Sequence, residues 1–195
     1  MSDPRIFWAT NPVGDGSIYT KYFVQKVHEH PTKLVLALTG GGSQAIGELL
    51  RYGNGSQTLL DARVPYDSEA LYQFIGYDPS QCCSKRTAKD LAMAAHCKAS
   101  VYTHDNVIGV GSTSSLVKPE GEREGREHKI FAALHDGVNT RHHSLVLGPG
   151  YCREVEETIN AAMILNIIGE YCGVGELKLP LVEGEKVIKE ISDEC

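Results

Sequence analysis

Apolar positions recur along the chain in two periods. Tyr19, Phe23 and Val27 fall four apart, which predicts an amphipathic helix that Asp15 or Ser17 would cap and Pro31 stops. Residues 33–38 (KLVLAL) form a continuous apolar run, the pattern of a buried strand. Thr39-Gly40-Gly41-Gly42-Ser43 breaks that run, and residues 44–51 predict a helix that turns Ile46, Leu49 and Leu50 inward. After a turn at 53–56, residues 57–64 read as a second strand closed by Pro65, and residues 68–75 as a short helix. A longer helix is expected over residues 84–97, with Ser84 as its N-cap. Residues 106–111 (NVIGVG) read as another buried strand, followed by the hydroxyl-rich Ser112-Thr113-Ser114-Ser115. A charged loop spans 119–127. Residues 129–135 and 142–147 read as an antiparallel hairpin turning at Gly137 and Asn139. A final helix runs from about Tyr151 to Gly173, carrying Val155, Ile159, Met163, Ile167 and Tyr171 every four residues.

Strands alternating with helices, plus one hairpin, define an α/β fold: a layered α/β/α sandwich with a mixed sheet. The 195 residues suit one domain, expected over residues 1–173. Residues 174–195 are rich in Glu and Lys, with Pro180 and Gly184, and read as an exposed charged tail or as a linker into a further domain. The apolar last helix either supports a homo-oligomeric interface or covers the sheet.

Composition narrows the function classes. At 42% hydrophobic and 23% charged residues the chain folds rather than staying disordered. No stretch nears the ~20 apolar residues of a membrane span, and Met1-Ser2-Asp3-Pro4 opens no export signal, so a cytoplasmic protein without membrane contact is expected. A net charge of −6 argues against nucleic acid as a partner. The six cysteines contain no Cys-x-x-Cys pair and read as reduced structural thiols. The eight histidines include the pairs His28/His30 and His142/His143, but no metal-ligand motif; on a strand His142 and His143 point to opposite faces. No metal and no cofactor is expected.

Two stretches carry candidate binding chemistry. In 39–43, successive glycines let backbone N–H groups converge on an anion, and the following helix offers its positive end to the same point. A phosphate or carboxylate would fit Thr39, Gly40, Gly41, Gly42 and Ser43, though the loop lacks the Walker lysine and is not G-x-G-x-x-G. The second stretch, Gly111, Ser112, Thr113 and Ser114, also ends a strand and offers hydroxyl donors. Lys118, Arg123 and Arg126 follow it and could neutralise a phosphate. Both point to a phosphorylated small molecule as partner. Ser56, in Gly55-Ser56-Gln57, is a weaker candidate nucleophile, since no base lies near it in sequence.

These segments resemble the carboxy-terminal domain of the CinA (competence/damage-inducible) family, whose active members are nicotinamide-nucleotide amidohydrolases. LALTGGGSQAIGELL stands where that family has an A-E-S-C-T-G-G-type strand, loop and helix. GNGSQTLLDARVPYDSEAL stands where it has G-S-S, a strand and Tyr-Ser-x-x-x-Lys. SKRTAKDLAMAA and NVIGVGSTSSL stand where it has a helix and a strand leading to G-I-A-G-P. The likeness covers about residues 13–173. It implies the fold and a nucleotide-shaped pocket, but its catalytic serine falls at Gln57, its lysine at Leu71 and its carboxylate at Leu38. A domain that binds a nicotinamide mononucleotide-like ligand without the Ser/Lys pair is therefore expected. The alternative is a deamidase, a C–N amide hydrolase, with Ser56, Ser43, Thr113 or Ser114 as nucleophile and Lys85 or His128 as base. The chain is also similar to a divergent T-G-G-G-S group in which the domain can precede a nucleotidyltransferase-like domain.

Overall fold

The structure is a computed structural model, and it describes residues 18–118 and 126–193. Its helices are α1 (Ile18–Glu29), α2 (Gln44–Arg51), α3 (Ser68–Ile75), α4 (Lys85–Tyr102) and α5 (Arg153–Tyr171). Its strands are β1 (Lys33–Thr39), β2 (Leu59–Arg63), β3 (Val107–Ser115), β4 (His128–His135), β5 (Asn139–Leu147) and β6 (Ile188–Asp193). They form one sheet in the order β2-β1-β3-β4-β5-β6, parallel across β2, β1 and β3 and antiparallel from β3 to β6. The mixed α/β/α sandwich expected from the pattern is the fold observed.

β1 is central, and its alternate side chains enter two different cores. Leu34, Leu36 and Leu38 pack with α1, α2 and α5, while Val35 and Ala37 pack with α3 and α4. That period of two is the geometry of a strand buried on both faces. Local signals set the helix ends. The Ser84 hydroxyl accepts from Thr87 N at 3.1 Å, and Asp67 accepts from Glu69 N at 2.9 Å, each satisfying an orphan N–H of a first turn. Leu50 departs from expectation: it is exposed, as is Tyr19, while Leu49, Phe23 and Val27 are buried.

Three corrections concern what packs on what. First, Ser112 to Ser115 are not a loop. β3 continues through Ser115, and all nine of its positions are buried. Ser, Thr and Gly are weak strand signals by themselves, but here two neighbouring strands supply the backbone partners. Second, α5 is buried almost all round from Thr158 to Gly169, so it covers the sheet and offers no free apolar face for a subunit interface. Third, the segment after Gly173 is no exposed tail. Leu177 is 4% exposed and its backbone is held on both sides by Asn166 (N to Oδ1 2.6 Å, O to Nδ2 2.9 Å). Leu179, Leu181, Val182 and Val187 pack on the cluster of Leu145, Leu147 and Met163, and β6 closes the sheet against β5. The capping residues expected at 15–17, the loop cation Arg123 and Cys195 lie outside the described residues.

Candidate functional site at the carboxyl ends of β1 and β3

The two stretches singled out in the sequence lie side by side. Leu38 pairs with Ser112 and Thr39 with Thr113. The glycine loop leaves β1 with Gly40 at φ +86° and Gly42 at φ +87°, the left-handed region that glycine tolerates. Gly40 lies flat on the Ser114 backbone, where a Cβ would collide with the carbonyl oxygen. Ligands of open α/β sheets bind at such carboxyl ends.

The first two turns of α5 supply side chains that fill this loop. The N–H of Ser43 donates to Glu157 Oε1 at 2.8 Å, and the Ser43 hydroxyl donates to the same oxygen at 3.0 Å. Arg153 Nη2 donates to the Gly40 carbonyl at 2.9 Å and lies 3.9 Å from Glu157 Oε2. Asn160 sits deeper, accepting from Ser112 Oγ at 3.2 Å and donating to Ser114 Oγ at 2.9 Å. The anion-binding end of α2 is thus occupied by a carboxylate of this chain. This corrects the expectation that the Ser43 amide is open to a phosphate. Gly41 is tight as well: a Cβ there would lie 2.6 Å from Leu116, 2.7 Å from Glu157 Oε2 and 2.9 Å from Ser114 Oγ.

The hydroxyls of β3 do not converge on one point. Ser112 and Ser114 face α5, whereas Thr113 faces the α4 layer and donates to the Cys82 carbonyl at 2.6 Å. Gly111 lies under α4, where a Cβ would meet the backbone of Ala88 and Ala92. Helix packing therefore accounts for a glycine at position 111. Arg126 donates to Ser115 Oγ at 2.9 Å.

The weaker candidates are scattered. Ser56 is exposed on the turn Gly55–Gln57. That turn precedes β2 beside the start of β1, where Leu34 N donates to Thr58 O. The length of β1 puts it about 20 Å from the glycine loop, at about 3.3 Å per residue. Leu71, at the position the resemblance gives to a lysine, is 2% exposed in the core under α3 and α4. Lys85 lies on the α4 side, bonded to Glu190, in a groove with Arg86, Asp90 and His142. It is across the sheet from Ser112 and Ser114.

Arg153, Glu156, Glu157 and Asn160 stand outside the stretches that the sequence singles out. Their signal was available: polar residues at i, i+3, i+4 and i+7 make a stripe along the first turns of this helix. Glu156 is fully buried, with Oε1 2.6 Å from Nδ1 of His128 and Oε2 accepting from Val117 N at 2.5 Å. Burial pushes its carboxyl above the usual range, with the Val117 N–H and His128 pulling it back.

Several other titratable groups are set by packing. Burial lifts the thiols of Cys83 and Cys172 to about 11, so both stay protonated at neutral pH. His142 faces the α4 side beside Ser192, while His143 faces α5, with Nε2 3.1 Å from Glu170. Among the described residues, no three His, Cys, Asp or Glu side chains group as metal ligands, and no helix is long and apolar enough to cross a membrane.

Burial lowers the pKa of His28 and of His96, where His135 adds repulsion, and of His143, where Glu170 offsets part of it. The unfolded imidazoles take up protons near pH 6.5, while the folded ones do so only lower. Their stabilisation is full above that value and falls as pH drops below it, by at most about 1.4 kcal/mol per histidine for each pH unit. The raised Glu156 acts in the opposite sense, its penalty easing only as pH falls toward the carboxylate range. The melting temperature is expected to fall between about pH 7.5 and pH 5.5; a flat profile there would contradict this assignment.

A three-layer α/β/α domain with a glycine loop at the carboxyl end of its first strand is the class of protein these features define. Within that class, the chain has the fold of the CinA superfamily. It superposes on the competence-damaged protein (CinA) superfamily protein from Enterobacter cloacae with a TM-score of 0.59 at 16% identity, over 82% of this chain and 96% of that one. The competence damage-inducible protein A (ComA) from Klebsiella pneumoniae subsp. pneumoniae MGH 78578 gives 0.60 at 13% identity, over 79% and 97%. The competence/damage inducible protein CihA from Agrobacterium tumefaciens gives 0.55 at 14% identity, over 80% and 94%. No protein-family model matches the sequence, and no curated protein matches it. At these identities the likeness is one of fold.

Proposed function

We propose that this chain is a CinA-like domain that binds a nicotinamide mononucleotide-like or other phosphorylated small ligand at the carboxyl ends of β1 and β3, without Ser/Lys hydrolysis. One observation carries the second half: Leu71, buried at 2% exposure, stands where the resemblance requires an amine. Leucine accepts no proton, and losing one member of a coupled nucleophile–base pair costs orders of magnitude in rate. Arg153 supports the first half. Its guanidinium lies at the mouth of the glycine loop, and its side chain is 38% exposed. With Glu157 on the loop amide, Arg153 rather than the loop backbone is the phosphate contact.

Calorimetry with nicotinamide mononucleotide, with ammonia assayed on the same sample, tests this. Heat of binding without ammonia is expected, and Arg153→Ala should weaken affinity about 10-fold or more, the worth of a charged hydrogen bond. No binding, or an unchanged affinity in that variant, overturns the reading. Ammonia release favours the alternative deamidase. The 3.0 Å contact of the Ser43 hydroxyl with Glu157 is the observation behind it, and Ser43→Ala would then abolish turnover.

A further inference from the structure

His128 and Glu156 form a pair that ligand binding as proposed above does not use. Both carboxylate oxygens of Glu156 are held, one by His128 Nδ1 at 2.6 Å and the other by the Val117 N–H at 2.5 Å. The carboxylate cannot swing, so Nδ1 is committed as a donor and Nε2 is left as the acceptor of the neutral ring. No described residue is hydrogen-bonded to Nε2. Both side chains are buried; His128 pairs across the sheet with Leu147, which shares one apolar cluster with Leu116, Ile130 and Leu145. In such surroundings two apolar side chains would hold the same elements together without the several kcal/mol that a buried carboxylate costs.

Position adds to this. Val117 donates to Glu156 through its N–H and accepts from Arg153 Nη1 at 3.4 Å through its carbonyl. Arg153 also holds Gly40. The pair, the arginine and the glycine loop thus share one edge of the sheet. A histidine fixed by a carboxylate is two-thirds of a hydrolytic triad; the missing third is the nucleophile. No hydroxyl of Ser112, Ser114 or Ser43 takes that place, because each is bonded elsewhere.

We propose that His128, oriented by Glu156, is a general base that activates water for hydrolysis of small activated esters at this edge. Nε2 takes a proton from the water, whose oxygen bonds to the acyl carbon. The acyl–oxygen bond breaks, and the leaving group departs as its anion with the bonding electron pair. The imidazolium then returns its proton to solvent. Such a leaving group needs no proton, which separates this substrate class from amides, whose nitrogen must be protonated to leave. The proposal rests on the reading of this edge as the ligand site, but its test does not use that ligand.

The probe is 4-nitrophenyl acetate, with nitrophenolate release followed in the full chain. Glu156 is the charged group in contact with the imidazole, and β5 presents Leu147 opposite His128. His128→Ala is expected to lower kcat/KM by about 100-fold or more. His128→Gln, which keeps a side-chain amide for Glu156, guards against misfolding and is checked by its melting curve. Glu156→Gln, a positioning change, should slow the rate and move part of the neutral ring's proton from Nδ1 to Nε2, a change a merely structural role would not produce. Nitrogen NMR of the wild type is expected to place the proton of neutral His128 on Nδ1. A folded His128→Gln with unchanged kcat/KM, the opposite tautomer, or hydrolysis no faster than buffer would each overturn the proposal. Calorimetry with nicotinamide mononucleotide decides the binding reading separately, whichever way this assay falls.

Discussion

A chain ended at Gly173 is expected to aggregate or to melt without cooperativity, although the sequence pattern places a domain boundary there. Removing the segment uncovers the site of Leu177, whose burial stabilises by roughly 1.5–3 kcal/mol. It strands the Asn166 amide, which bonds the Leu177 N–H and carbonyl, at a cost of about 1–3 kcal/mol for each unsatisfied group. The Tyr151 hydroxyl loses its contacts to Glu185 and Pro180. β5 becomes an open edge, with exposed Val146 on it. Together these approach the whole stability of an ordinary domain, about 5–15 kcal/mol. Circular dichroism melts of the two lengths make the comparison. An unchanged, cooperative transition in the shorter chain would mean that residues 174–193 only decorate the fold.

Gly109→Val should be nearly as severe. α4 lies on β3 through Ala88, Ala92, Ala95 and Ala99, and Gly109 and Gly111 face it. A Cβ on Gly109 would fall on the Ala92 carbonyl oxygen and the His96 N–H, both backbone atoms that cannot rotate away. Overpacking costs about 1–3 kcal/mol where side chains can yield, and more where only backbone can move. The valine variant is expected to lose more than about 3 kcal/mol in denaturant unfolding. Gly173→Ala is a poor control because Gly173 sits at φ +68°. Gly47→Ala is better: it lies within α2 with nothing in the way of a Cβ, and it should be neutral or stabilising by up to about 1 kcal/mol. A Gly109→Val protein as stable as wild type would contradict the close approach of α4.

A Gly41→Val change would not isolate phosphate binding. Its side chain would press on Leu116, Glu157 and Ser114 at once, so a weaker ligand would report a distorted loop.

What the amino-acid order determined by itself is local. The apolar run of β1, the breaking glycines, α2 and α3, the Ser84 cap of α4 and the hairpin of β4 and β5 are read from periods and caps. Those signals lie within a few residues of the structure they specify. The layered mixed sheet follows from their order. The tertiary structure decided the rest. Ser112 to Ser115 became strand because β1 and β4 bind their backbone and because Asn160, Cys82 and Arg126 engage their hydroxyls. The segment after Gly173 joined the core because Asn166, far back on α5, holds it. The glycine loop received a carboxylate from residue 157, more than a hundred positions downstream. Composition marks such residues as charged or polar, but only packing chooses their partners. A side chain's periodicity is set by its own backbone, whereas its hydrogen bonds are set by whichever distant element the fold brings within 3 Å.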